Sequence, residues 1–244
     1  ASSVGARPLW TQMKQNSAAA AQGDSGLVQI VAALADLKTA IPELELHLIG
    51  HSAGSIVLGH LLDLLTGTNL VAQTCSLYAP ACTVPFANGH YRPAIEAGTL
   101  AKNRLFVDVL SDRREQADSV GPYGRSLLYL VSRALESVHK MPMLGMQNAW
   151  LPEKDVPDDF WHRNFGGTVQ EWRNFAGRTV KLRVEDRDTI VQHRRRVGND
   201  WKTLVENPAV HGSFDNDVEG VERTLLRILG ARKLKADVEC LLDF

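Results

Sequence analysis

The segment Gly50-His51-Ser52-Ala53-Gly54 is the part of this chain best suited to chemistry. A serine hydroxyl acts as a nucleophile when a tight turn presents it to a general base, and small residues around it let the backbone turn that sharply. The flanks suit such a turn. Leu44, Leu46, Leu48 and Ile49 form an apolar run ending at the segment, and Ile56, Val57, His60, Leu61, Leu64 and Leu65 follow it with helical spacing. The pattern reads as strand, turn and helix, with Ser52 as a nucleophile for acyl transfer. An ordinary strand-to-helix turn is the competing reading.

A G-x-S-x-G elbow in this setting resembles that of the α/β-hydrolase superfamily, in which an acid and then a histidine follow the serine along the chain. The resemblance implies an acid just past a later strand. Residues 104–110 (RLFVDVL) read as that strand and run into Ser111-Asp112, so Asp112 is the first candidate for the acid that fixes the histidine tautomer. Asp186 and Asp188, beyond the strand-like stretch 179–184, are its rivals, and Asp108 is disfavoured because it lies within the strand. The resemblance also implies a base on the loop before the last core helix. Of the eight histidines, His211 fits: Asp215, Asn216 and Asp217 follow as helix-start signals, then a stripe of Val218, Val221, Leu225, Ile228 and Leu229 closed by Gly230. The Ala53 N–H would be one oxyanion donor. With this base, activity is expected to fall as the pH drops below the ordinary histidine pKa of about 6.5.

The other histidines read differently. The His51 ring would point away from the hydroxyl and shape the site, and His60, on the Ile56 face of the elbow helix, suits a hydrogen-bonded core position. His193 adjoins Arg194-Arg195-Arg196, a basic run expected to pair with Glu185, Asp186 and Asp188 on a solvated face.

The elements needed to hold these residues alternate along the chain. Residues 8–21 read as a helix, and Leu27, Ile30, Val31, Leu34 and Leu37 form the stripe of a second that stops at Ile41-Pro42. The elbow strand and helix follow, then strands at 71–79 and 104–110, a helix at 122–137 and a short apolar run at 141–146 that could add a strand. This order predicts an α/β fold: a mostly parallel sheet with helices on both faces, α/β-hydrolase-like, in a single domain over 1–244. An irregular insertion is expected at about 147–208. Its aromatic residues Trp150, Phe160, Trp161, Phe165, Trp172 and Phe175 either cap an acyl pocket or hold the excursion onto the domain.

Composition narrows the function classes. A 44% hydrophobic chain of 244 residues can bury a sizeable core, and a net charge of −1 leaves no electrostatic footprint for nucleic acid. Cys75, Cys82 and Cys240 are odd in number and lack C-x-x-C spacing, which argues against a disulfide framework or a thiolate zinc site and for a reducing, cytoplasmic setting. Neither a membrane span nor a signal peptide is expected, and the triad needs no cofactor or metal.

The family pattern has about four strands before the elbow, whereas the residues before Ser52 read as two helices and one strand. One oxyanion donor that the superfamily takes from an early loop therefore has no counterpart here. The elbow strand would also lie at a sheet edge, which predicts self-association. A small-molecule ester is the expected substrate. The alternative is a non-catalytic module of this fold, or a C-terminal fragment of a larger protein, that serves assembly.

Overall fold

The computed structural model describes residues 3–241. Two helices, α1 (Ser3–Ala19) and α2 (Gly26–Ala40), lead into β1 (Leu46–His51). The chain continues through α3 (Gly54–Leu65), β2 (Ala72–Tyr78), α4 (Val84–Glu96), β3 (Leu105–Leu110), α5 (Asp112–Ala117) and the short α6 (Leu127–Leu130). After a long coil come α7 (Gly166–Thr179), β4 (Val180–Glu185), the strands β5 (Thr189–Val197) and β6 (Asp200–Pro208), and finally α8 (Val218–Leu229).

β1, β2, β3 and β4 form a parallel sheet in that order, so consecutive strands are neighbours and each connection crosses over through helices. Apolar runs with little alternation suit such strands because both faces are covered: Leu77, Leu105 and Val107 are fully buried. The α3 helix packs on one face through Leu62 and Leu65, neither of which is exposed. On the other face α8 reaches β2 and β3, where Tyr78 Oη lies 2.5 Å from Thr224 Oγ1 and Arg227 Nη1 donates to Asp108 Oδ2 at 3.3 Å. Asp108 is thus a buried structural carboxylate. The architecture is α/β, with strand C-terminal ends gathered on the edge where Ser52 and Asp112 begin their turns.

Several elements depart from the sequence reading. The run 141–146 is not a strand of this sheet. Pro142 and Gly145 interrupt it, and it lies instead along the turn after β2, with the Leu144 and Gly145 N–H groups donating to Cys82 O and Pro80 O, each at 2.8 Å. A Cβ at Gly145 would sit 2.6 Å from Pro80 O and 2.8 Å from the Ala79 carbonyl carbon, so only glycine allows this approach. The stretch 122–137 is helical only from Leu127, where the Ser126 hydroxyl accepts the Tyr129 N–H as a cap, through a π-turn ending at Leu135.

The stretch 147–208 is not one insertion either. It contains β4, an edge strand whose Lys181 and Arg183 alternate with Leu182 and Val184 and give it a polar look in sequence. What projects from the domain is the antiparallel β5/β6 hairpin. The aromatic residues of 150–175 mainly pack inward: Trp172 is fully buried and meets Trp150 at 5.6 Å, while Phe160 and Trp161 pack edge to face at 4.4 Å. Arg194 pairs with Glu222 and stacks over Trp201, and Arg196 pairs with Asp237, so the basic run does not use the acidic residues expected for it. No helix among the described residues is long and apolar enough to cross a membrane.

Candidate active site

Ser52 lies between β1 and α3 with φ +51°, a left-handed conformation that a side-chain-bearing residue holds only when its surroundings enforce it. Here the enforcement is explicit. The Ser52 N–H donates to Tyr78 O at 2.9 Å, and the Ser52 carbonyl accepts from Ala81 N at 2.9 Å, Ser55 N at 3.1 Å and Ser55 Oγ at 2.7 Å. Ser55 is itself buried, its hydroxyl accepting the Cys82 N–H at 3.0 Å and its carbonyl accepting from Tyr91 Oη at 2.6 Å. At Gly50 a Cβ would stand 3.2 Å from the Gly54 carbonyl carbon, whereas one at Gly54 would meet nothing within 4 Å. Gly50 is therefore the glycine that the elbow requires. The Ala53 N–H, at the entry to α3, has no backbone acceptor among the described residues and is free to meet a developing oxyanion.

His211 reaches this serine across the sheet: its Nε2 is 2.9 Å from Ser52 Oγ. The histidine sits in a 3₁₀ turn, His211–Ser213, in which Ser213 N donates to Val210 O at 3.0 Å. Two neighbours fix the His211 backbone. Asp118, at the end of α5, accepts its N–H through Oδ2 at 3.0 Å, and His51 Nε2 donates to its carbonyl at 2.9 Å. Arg114 adds a third tie from α5 by donating to Ala209 O at 2.8 Å. His51 lies with its ring 5.6 Å from the His211 ring and its Nδ1 3.5 Å from Asp215 Oδ2.

The expected acid is elsewhere. Asp112 starts α5, and its carboxylate accepts from Tyr129 Oη at 2.6 Å, Asn148 Nδ2 at 2.8 Å and Gln116 Nε2 at 2.5 Å. Those bonds tie the end of β3 to residues 129 and 148 and leave Asp112 without a bond to His211. Asp186 is taken by Ser111 and Arg113, and Asp188 by Arg113 and Arg114. The His211 Nδ1 is buried with no hydrogen-bond partner among the described residues. Burial, and secondarily the charge of His51, push the His211 pKa down to about 3, so the ring is neutral at physiological pH.

A second buried carboxyl lies between Asp112 and Asp118. Glu115 is fully buried, bonded by Ser126 Oγ, and burial raises its pKa to about 8, with Asp118 and Asp112 adding to the rise. It is held as the neutral acid at pH 7. The spacing of these three carboxylates on one helical turn and its exit was present in the sequence, where only Asp112 drew notice.

Ser52, Ala53 and His211 thus meet at the C-terminal edge of the sheet, and Asp112 bonds instead to Gln116, Tyr129 and Asn148. No protein-family model, curated protein or solved structure matches this chain.

Proposed function

We propose that the chain is an α/β-hydrolase-like serine hydrolase that cleaves small carboxylic esters through an acyl-enzyme. The observation that carries this reading is the 2.9 Å contact of a neutral imidazole with a serine hydroxyl on a left-handed elbow. A hydroxyl in that position can lose its proton to Nε2 as Oγ attacks the ester carbonyl. The tetrahedral oxyanion forms beside the Ala53 N–H. His211 then returns the proton to the departing alcohol, and water, deprotonated by the same ring, releases the acid.

In this reading Asp118 replaces Asp112 as the carboxylate serving the histidine. It is the acid already bonded to the His211 backbone, and it acts as a positioning residue together with His51. Without a carboxylate on Nδ1 the imidazolium formed during attack is poorly stabilised; loss of that partner in a serine protease triad costs about 10⁴ in rate. Slow turnover of esters, with phosphonylation of Ser52 by a reactive phosphonate that expels its leaving group, is the expected behaviour.

The test is intact mass after treatment with a serine-directed phosphonate, alongside hydrolysis of p-nitrophenyl butyrate. One adduct per chain and measurable turnover, both abolished in Ser52→Ala and the turnover abolished in His211→Gln, support the hydrolase. The second reading, a non-catalytic module, draws on the same unpartnered Nδ1 and on the exposed edge of β1. A folded chain that takes up no phosphonate establishes that reading and removes the first.

A further inference from the structure

α3 and α4 pack side by side beyond the elbow and bring together three ligating side chains that the serine chemistry does not use. His60 and Asp63 lie one turn apart on α3, and His90 lies on the facing side of α4. Asp63 Oδ2 is 2.6 Å from His90 Nδ1 and 4.0 Å from His60 Nδ1. One donor atom from each residue falls within 4.8 Å of the others. A tetrahedral zinc ion with bonds of about 2.0–2.1 Å keeps its donors roughly 3.3 Å apart, a value that the two observed separations bracket.

The packing around the cluster holds the two imidazoles in place. A Cβ at Gly59 would lie 2.3 Å from Phe86 Cε1, so the helices approach this closely only because position 59 has no side chain. The Phe86 ring stacks on His90 at 3.9 Å and meets His60 edge-on at 5.3 Å, and the imidazoles stand 5.0 Å apart. Lys14, which lines the same cavity as His60 and His90, is paired with Glu136 at 2.6 Å. His60 and His90 also border a cavity of about 370 Å³ with Met141 and Phe165 in its wall, and Asp63 is open to solvent, so an ion has a route in.

We propose that His60, Asp63 and His90 bind one divalent transition-metal ion, with zinc the best match and water completing the coordination. Two imidazoles and a single carboxylate suit zinc and its neighbours better than calcium or magnesium, which favour all-oxygen sets. Because α3 carries the elbow at its start, the ion would staple the elbow helix to α4. The proposal is independent of the esterase reading.

The test is zinc titration of the chelator-treated 244-residue chain by calorimetry, with thermal melts and cobalt(II) absorption read in parallel. One equivalent bound at about 10 μM or tighter, a visible spectrum of four-coordinate cobalt and a higher Tm are expected; a hundredfold excess over Kd stabilises by about 2.7 kcal/mol. Asp63→Asn and His90→Gln should each weaken binding at least ~tenfold and lose the cobalt spectrum. Metal-free melts of these variants check that they fold, with His60→Gln as the substitute if one does not. Cys240→Ser should leave binding intact. No binding at about 1 mM zinc, or equal binding by the parent chain and the folded Asp63→Asn and His90→Gln variants, overturns the proposal.

Discussion

Acid should unfold this protein in part through a single histidine. His211 is neutral in the folded chain down to about pH 3, because burial penalises the imidazolium and His51 adds to the penalty. In the unfolded chain the same side chain takes up its proton near pH 6.5. Between these two values the unfolded state binds more protons than the folded one, so stability falls as the pH drops below 6.5 and the loss levels off near 3. At about 1.36 kcal/mol per pH unit, the loss is roughly 2.7 kcal/mol at pH 4.5 and close to 5 kcal/mol at its limit. Urea unfolding of the parent chain and of His211→Gln at pH 7.5 and 4.5 isolates this contribution, since every other titrating group is common to both. The variant should lose about 2–3 kcal/mol less than the parent over that interval. Equal losses would refute the depressed pKa. If the chain is the proposed hydrolase, the same depression sets its rate: ester hydrolysis should persist through pH 5 and fall only toward pH 3, below the limb near 6.5 that an ordinary histidine would give. A limb at 6.5 would mean that a carboxylate reaches Nδ1 in solution.

Other groups give predictions of opposite sign. Glu115, raised to about 8 in the folded chain, penalises folding progressively as the pH rises above its unfolded value and up to 8. Glu115→Gln should therefore stabilise the protein at pH 7, by up to about 3 kcal/mol, with the gain vanishing at pH 4; a gain independent of pH would sink that account. Ser52→Gly relieves a left-handed backbone that costs a side-chain-bearing residue about 1–2 kcal/mol, so it should melt higher than Ser52→Ala while both are inactive. β1 is the sheet edge, and Ile49 on it is 50% exposed. Sedimentation velocity should detect self-association that Ile49→Lys weakens, and a monomer at all concentrations would refute pairing through this edge.

Much of the frame was legible because it rests on local patterns. Leu48 and Ile49 ending at Gly50, and the apolar spacing from Ile56 to Leu65, mark a strand and a helix whatever lies around them. The stripe on α8 likewise located the loop that carries His211. What could not be read is where chemistry depends on side chains from distant segments. The stretch 179–184 read as strand-like but fell within the expected insertion, because Lys181 and Arg183 give it an alternation that an edge strand tolerates and a central parallel strand does not; its pairing with β3 could not be read. His60 looked like a core residue, since its partner His90 lies 30 positions on and only helix packing through Gly59 joins them.

The acid shows the same limit most sharply. The proposed hydrolase reading asks for a carboxylate after β3, and Asp112, Glu115 and Asp118 all satisfy it. They differ only in direction. Asp112 opens α5, where its carboxylate turns toward Tyr129 and Asn148; Glu115, one turn on, points into the core and is stored as a neutral acid; Asp118 ends the helix and meets the His211 backbone. The choice among them is therefore made by the phase of one short helix, and it can be reversed by experiment. Asp118→Asn should lower kcat and move the pH–rate profile with little change in phosphonate labelling stoichiometry. Asp112→Asn should lower Tm, because the amide nitrogen that replaces one carboxylate oxygen cannot accept, so either the Gln116 donor or the Tyr129 and Asn148 donors lose their acceptor. A larger kcat loss in Asp112→Asn than in Asp118→Asn, with Tm unchanged, would return the acid role to Asp112.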